Sequence, residues 1–167
     1  YVASIAPMSP DVIADNTTPA TFDVMIINEG LMADTYGINL NFNGPANWAQ
    51  EYTTVNGTFP AGHVDSVTVS SGDTATITVT VNPNGYDGFG NTDLEFLSGN
   101  NPSNGGAALL RNVTNTGIGL LVVDAEDEEY ESVYTTSLDH VYTEDYGVVG
   151  RTAFHDTTVD LTNFDVI

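Results

Sequence analysis

The chain has 167 residues, of which 23 are acidic and only two, Arg111 and Arg151, are basic, so its formal net charge is −21. Such a surface repels polyanions, which argues against nucleic acid and anionic membranes as partners. With no cysteine, the chain has no disulfide framework, thiolate metal site or cysteine nucleophile. A hydrophobic share of 41% suffices for a packed core. The sequence contains no run of about 18 apolar residues, the length needed to span a membrane as a helix.

The first half of the chain alternates apolar and polar side chains with a period of two, which predicts half-buried antiparallel strands. The pattern places strands within residues 21–42 and at 64–70. Its clearest stretch is 74–81, where Ala, Ile and Val alternate with four Thr.

Segments rich in Gly, Asn, Pro and Asp at 82–92 and 98–106 predict loops around a short strand at 94–97. A last strand is expected at about 107–113. Several short strands separated by such turns indicate a sandwich. We therefore predict a mainly β fold, with an Ig-like antiparallel β-sandwich over residues 1–116.

The pattern changes at Gly117. Residues 118–123 (IGLLVV) form a continuous apolar run, as expected of a parallel strand buried on both faces. A second strand is predicted at 163–167, and together these segments give a short C-terminal β-α-β segment over 117–167. Two strands and one helix cannot cover a parallel sheet, so we expect this segment to be truncated or to pack on another surface. The intervening helix is predicted from an apolar stripe at spacings of three and four, formed by Tyr130, Val133, Tyr134, Ser137, Leu138 and Val141.

Residues 22–83 resemble the bacterial Ig-like modules of the cell-adhesion-related and glycosidase-associated kind. The resemblance rests on FDVMIINEG, DTYGINL, Trp48 and SVTVSSGDTATITVTVNP. In that family the module is a spacer, adhesion or carbohydrate-associated domain without catalysis. The resemblance therefore implies an Ig-like sandwich and offers no catalytic residue to transfer.

The tail, from LLVVDAEDEEYESVYTTSLDHVY through DLTNFDVI, is similar to the opening of flavodoxin-like or amidotransferase-like α/β domains in secreted bacterial proteins. Such domains begin with an apolar strand, an acidic turn and a Tyr-bearing helix. The chain lacks what they hold further on, including a cysteine nucleophile, so no activity is carried over.

Two groups of oxygen-bearing side chains are candidate metal ligands, and Ca²⁺ is the one cofactor candidate. The first lies on a Gly-rich segment able to curl around a cation that takes six to eight oxygens, although its spacing departs from the EF-hand pattern and a solvated loop is the alternative. The second follows the predicted buried strand, where helix capping is the alternative. The candidates are Asn82, Asn84, Asp87, Asn91, Asp93 and Glu95 in the first group, and Asp124, Glu126 and Asp127 in the second.

Trp48 and Tyr52 are candidates for a sugar-stacking platform, because aromatic faces suit carbohydrate. The alternative is a core role, since sandwiches commonly bury a tryptophan between their sheets. The three histidines lie in no metal-binding or catalytic spacing.

These observations predict a non-catalytic structural or adhesive module of a secreted or cell-surface microbial protein, and not an enzyme. The alternative is an accessory domain of a secreted hydrolase whose catalytic part lies outside this chain. A weaker alternative is a subunit of an extracellular filament that assembles by strand addition. The expected partners are other domains or subunits of a surface protein, with carbohydrate as a further candidate.

Overall fold

The computed structural model describes residues 2–124, 136–139, 146–151 and 165–166. Within them, thirteen strands form three sheets, and residues 136–139 are helical. No helix in these ranges is long and apolar enough to cross a bilayer. The strands are β1 (Ala3–Pro7), β2 (Asp11–Ala14), β3 (Ala20–Asn28), β4 (Asp34–Asn43), β5 (Ala49–Thr54), β6 (Gly57–Pro60), β7 (Asp65–Val69), β8 (Thr74–Asn82), β9 (Phe89–Ser98), β10 (Gly105–Thr114), β11 (Leu120–Asp124), β12 (Tyr146–Gly150) and β13 (Asp165–Val166).

Two five-stranded sheets make up most of the molecule. Sheet A has the strand order β1-β3-β8-β5-β6 and is antiparallel throughout. Sheet B has the order β2-β10-β9-β4-β7, in which β2 runs parallel to β10 and the other pairs are antiparallel. The consecutive strands β1 and β2 thus belong to different sheets and close one side of the molecule.

The inner faces of sheets A and B share one hydrophobic core, which makes the pair a β-sandwich. The alternation predicted from the sequence decides which side chains enter it, because every second residue of a strand points to the same face. Tyr36 and Phe96 meet edge to face with ring centroids 5.4 Å apart. The mainly β prediction is therefore confirmed. The largest fully buried side chains of the core between sheets A and B are Phe22, Ile26, Tyr36, Ile38, Leu40, Tyr52, Ile77, Leu94, Phe96 and Leu110.

Strand β9 is longer than the sequence indicates, since it begins at Phe89 and not at Leu94. Residues 89–93 contain Gly, Asn and Asp and are typical of a turn, yet they pair in register with β4 and β10. Gly90 lies under two aromatic rings: a Cβ there would stand 2.7 Å from Phe42 and 3.1 Å from Trp48. Glycine is needed at this point for packing, and the strand continues through it.

A third, parallel sheet, sheet C, has the order β12-β11-β13. Leu120, Leu121 and Val122 are all buried, so the apolar run is covered on both faces as predicted. The strand β12 was not predicted, and it pairs with β11 over five residues. Of the predicted helix, Ser137 and Leu138 lie within the helical residues 136–139, and the rest lies outside the described residues. The division at 116/117 stays a prediction.

Candidate functional site

The structure separates the six candidate calcium ligands of the first group. Because β8 ends at Asn82 and β9 begins at Phe89, the loop between them spans only residues 83–88. The expected single loop of ligands is therefore wrong, since three of the six lie on a strand. Those three are Asn91, Asp93 and Glu95.

The loop members of the group are engaged with neighbouring loops. Asn82 Oδ1 accepts the Asn84 N–H at 3.0 Å, and Asn84 adopts a left-handed backbone conformation with φ of 55°. Asp87 Oδ1 accepts hydrogen bonds from Asn16 Nδ2 at 2.8 Å and from the Thr116 hydroxyl at 2.6 Å. Asp87 therefore ties three loops together at this end of the sandwich.

The strand members lie on the outer face of sheet B, where the register sets each of them beside an asparagine of β4. Asn91 pairs with Asn43, Asp93 with Asn41, and Glu95 with Asn39. Glu95 Oε2 accepts Asn39 Nδ2 at 3.3 Å and Asn41 Nδ2 at 3.5 Å. In the described part of the chain, no three His, Cys, Asp or Glu side chains gather as a metal site would require. Calcium binding stays a prediction.

The second candidate group falls at the end of β11. Asp124 is the last residue of that strand, whereas Glu126 and Asp127 lie outside the described residues. The predicted acidic site at the carboxyl edge of sheet C therefore remains a prediction.

Trp48 and Tyr52 are core residues, which corrects the sugar-stacking prediction. Trp48 is 6% exposed, its ring stacks on Phe42 with centroids 6.2 Å apart, and its Nε1 donates to the Tyr86 carbonyl at 2.9 Å. Tyr52 is 0% exposed, and its hydroxyl donates to the His63 carbonyl at 3.0 Å. Neither ring has a free face for a sugar, so the alternative core role applies to both.

A partly buried ion pair that local sequence patterns did not indicate joins the sandwich to sheet C. Arg111 donates through Nε to Asp11 Oδ1 at 2.6 Å and through Nη2 to Asp11 Oδ2 at 3.2 Å. The second oxygen also accepts the Gly150 N–H at 2.8 Å. Asp11 is 7% exposed. One carboxylate thus connects β2, β10 and β12.

An apolar contact supports the same junction. Val113 points outward from sheet B, where it packs against the inward face of sheet C. A Cβ on Gly150 would stand 2.7 Å from Asp11 Oδ2, so the close approach of β12 depends on glycine. Local sequence carries no signal for this junction, because its partners are 100 and 139 residues apart. The buried members of the apolar cluster are Ile13, Val113, Ile118, Leu121 and Val149.

The opposite end of the sandwich is held by two buried polar side chains, Asn28 and Asp34. Asp34 accepts the Ser98 hydroxyl at 2.5 Å, Asn100 Nδ2 at 2.8 Å and the Thr35 N–H at 2.8 Å. Burial acts to raise the pKa of Asp34, but these hydrogen bonds to the ionised carboxylate outweigh it, and the net pKa lies below the ordinary value. Asp34 is therefore held in its charged form.

Polar contacts also connect the two sheets on the side of the sandwich where β6 and β7 are the edge strands. Asp65 accepts the Thr54 hydroxyl at 2.6 Å and Asn56 Nδ2 at 3.1 Å, which links sheet A to sheet B. Asn56 Nδ2 also donates to the Ser66 carbonyl at 2.8 Å and so occupies an acceptor of the edge strand β7. Such contacts reduce the tendency of an edge to pair with another chain.

No family model and no curated protein matches the chain. Among solved structures, the N-terminal domain of PorA superposes with a TM-score of 0.50 at 12% identity, over 66% of this chain and 97% of that one. At this identity the likeness concerns the fold alone, and it supports the β-rich architecture.

Two further solved structures are similar with lower scores. A family 123 glycoside hydrolase from Clostridium perfringens has a TM-score of 0.48 at 8% identity over 74% of this chain, which spans 31% of the hydrolase chain. The CsuC-CsuE chaperone-tip adhesion subunit complex of Acinetobacter baumannii Csu pili has a TM-score of 0.40 at 12% identity, over 86% of this chain and 62% of that one.

Proposed function

We propose that this chain is a non-catalytic structural or adhesive module of a secreted or cell-surface microbial protein, in which an Ig-like sandwich holds sheet C in a fixed orientation. The observation that carries the proposal is the junction at Asp11. A buried carboxylate shared by Arg111 and the Gly150 N–H fixes both the distance and the direction of β12 relative to β2 and β10.

The junction suits a structural role because its two kinds of contact act together. The apolar cluster around Val113 and Leu121 supplies the burial that holds sheet C against the sandwich. The charged hydrogen bonds add direction, since a bidentate Arg–carboxylate pair tolerates little change in geometry. We expect a sheet attached in this way to move together with the sandwich.

The core of the sandwich supports the non-catalytic part of the proposal. The aromatic side chains of Trp48 and Tyr52 fill the interior and bond to backbone carbonyls. The described acidic side chains at the loop ends, such as Asp34 and Asp87, serve as hydrogen-bond acceptors that tie loops together. Each of these groups already has a structural task.

Hydrogen exchange on the intact chain tests whether the sandwich holds sheet C in a fixed orientation, which we call the mounting role. We expect the amides of β11 and β12 to be protected to the same order as those of β10 in the wild-type protein. Gly150→Ala should raise exchange in β11 and β12 and leave β3 and β8 unchanged, because the added Cβ would meet Asp11 Oδ2 at 2.7 Å.

Gly37→Ala is the matched control, since the nearest atom to a Cβ at that position is 3.9 Å away. Free exchange of β11 and β12 in the wild-type protein, with β10 protected, would contradict the mounting role. The sequence of the protein that carries this chain would distinguish the structural or adhesive module from an accessory domain of a secreted hydrolase. Tandem sandwiches favour the first, and an attached hydrolase domain favours the second.

A further inference from the structure

The loop between β3 and β4 presents two large apolar side chains to solvent. Leu31 is 95% exposed and Met32 is 58% exposed. Isolated exposed leucines are common on protein surfaces. Here two adjacent apolar residues stand at the tip of one loop, and we call this pair the apolar tip.

The loop is held rigidly from below by Asn28, which is wholly buried. Its Oδ1 accepts the Gly30 N–H at 3.0 Å, and its Nδ2 donates to the carbonyls of Met32 and Val69, each at 2.9 Å. A buried amide that satisfies three partners fixes the backbone on both sides of Leu31. The tip is therefore a defined structure.

Further contacts fix the sides of the loop. The Ser71 hydroxyl donates to the Gly30 carbonyl at 2.6 Å, and the Glu29 N–H donates to the Val2 carbonyl at 2.9 Å. Because the loop is already ordered, a partner that covers the apolar tip incurs little ordering entropy, and preorganisation of this kind favours binding.

We propose that the apolar tip is the contact site of this module for another protein, one that offers an apolar pocket with a rim of Lys or Arg side chains. The proposal rests on the structural and adhesive function above and names the surface through which it acts. Leu31 and Met32 enter the pocket. The exposed carboxylate of Glu29, one oxygen of which accepts the Ser4 hydroxyl at 3.1 Å, faces the rim.

Charge selects this partner over two others. A second copy of the chain carries the same net charge of −21 and has only two arginines, of which Arg111 is bound to Asp11, so it has no basic rim to offer. An anionic membrane repels the same surface. A basic protein surface gains both from desolvation of the tip and from complementary charge, which also speeds association.

Photo-cross-linking of the full-length protein on the cells that produce it tests the proposal. A diazirine analogue of leucine is placed at position 31 and, as the matched control, at position 55, where Val55 is 85% exposed on the β5–β6 turn. We expect position 31 to cross-link to one protein and position 55 to give none of that product. Mass spectrometry of the cross-linked peptide should map the attachment to apolar residues flanked by Lys or Arg.

Glu29 and Met32 provide the second measurement. Met32→Ser should lower the yield of the position-31 product by about tenfold or more, as expected of a central contact residue, and Glu29→Lys should also lower it. Equal products from positions 31 and 55, cross-links to lipid or to another copy, or no product would overturn the proposal. Unchanged melting of both variants shows that they fold, and protected β11 and β12 amides alongside a negative cross-link would leave the mounting role standing.

Discussion

Arg111 and Asp11 lie 100 residues apart in the sequence, yet their side chains form a two-pronged ion pair with N···O distances of 2.6 and 3.2 Å. The pair joins neighbouring parallel strands, because the backbone register also sets Arg111 opposite Asp11. The Gly150 N–H donates to the same carboxylate, so the Asp11 side chain contacts both sheet B and sheet C.

Removal of this carboxylate should destabilise the protein strongly. Asp11→Ala leaves the partly buried Arg111 guanidinium without its counter-ion, and we expect a loss of about 2 kcal/mol in the free energy of unfolding. Chemical denaturation measures the loss. Asp23→Ala removes a carboxylate of the exposed face of β3 and should cost less than about 1 kcal/mol. Equal losses for the two variants would show that the ion pair does not hold the junction.

Asn28 should matter for stability in proportion to its burial. Asn28→Ala removes hydrogen bonds to Gly30, Met32 and Val69, and we expect a loss of about 2 kcal/mol in the free energy of unfolding. Hydrogen exchange in residues 29–33 should rise as the loop loses its support. Asn41→Ala, on the outer face of sheet B, is the matched control and should change neither quantity appreciably.

Acid should remove the contribution of Asp34. Its folded-state pKa lies below the ordinary 3.8, so the stability it contributes is present above pH 3.8 and is lost as pH falls through the folded value. Asp34→Asn should therefore lower the melting temperature at pH 7, and the gap to wild type should narrow below pH 3.8. Asp73→Asn removes the same charge from an exposed position. A gap that stays constant from pH 7 to pH 2.5 would rule out this role for the carboxylate.

Tyr36 and Tyr52 are both wholly buried but differ in their hydroxyl groups. The Tyr36 hydroxyl has no hydrogen-bond partner among the described residues, whereas the Tyr52 hydroxyl donates to the His63 carbonyl at 3.0 Å. Tyr36→Phe removes a buried group without a partner and should raise stability by about 1 kcal/mol. Tyr52→Phe should lower it by about 1 kcal/mol. Thermal and urea unfolding of the two variants measure the two changes in stability. Changes of the same sign would contradict the different roles assigned to the two hydroxyl groups.

The prediction of calcium binding can be tested against general charge screening. Any divalent cation should raise the melting temperature of a chain with net charge −21, since it relieves repulsion between carboxylates. A specific site predicts an additional rise with Ca²⁺ that equal Mg²⁺ does not reproduce. Loss of that increment in Asp93→Asn would place the site on sheet B, and loss in Asp87→Asn would place it in the loop. Identical curves in the two salts would contradict calcium binding.

Local patterns predicted those parts of the fold whose burial follows a simple period. Residues 74–81 alternate strictly, and the observed strand is β8, Thr74–Asn82. The apolar run at 118–123 likewise predicted a buried parallel strand, and β11 covers Leu120–Asp124. In both cases the solvent exposure of each side chain follows from its position in a single strand.

Features set by distant contacts could not be predicted in this way. Residues 89–93 look like a turn because glycine at position 90 serves the packing of Phe42 and Trp48, which only the folded sheets bring there. The same holds for Asp11, whose partners lie in β10 and β12. The burial of Trp48, in contrast, agrees with the core role that the sequence offered, and only its partners Phe42 and Tyr86 could not be predicted. The first group of candidate calcium ligands does not form a single loop for the same reason, because three of its members lie on strand β9.

The parallel pairing of β2 with β10 has a mechanical consequence. Tension that enters before Asp11 and leaves after Thr114 pulls the two strands along their common axis, in opposite directions. The ladder between Asp11–Ala14 and Arg111–Thr114 is then loaded in shear, so its hydrogen bonds and the Asp11–Arg111 pair must fail together and cannot open one at a time. A module under pulling load would resist rupture at this short pair of strands.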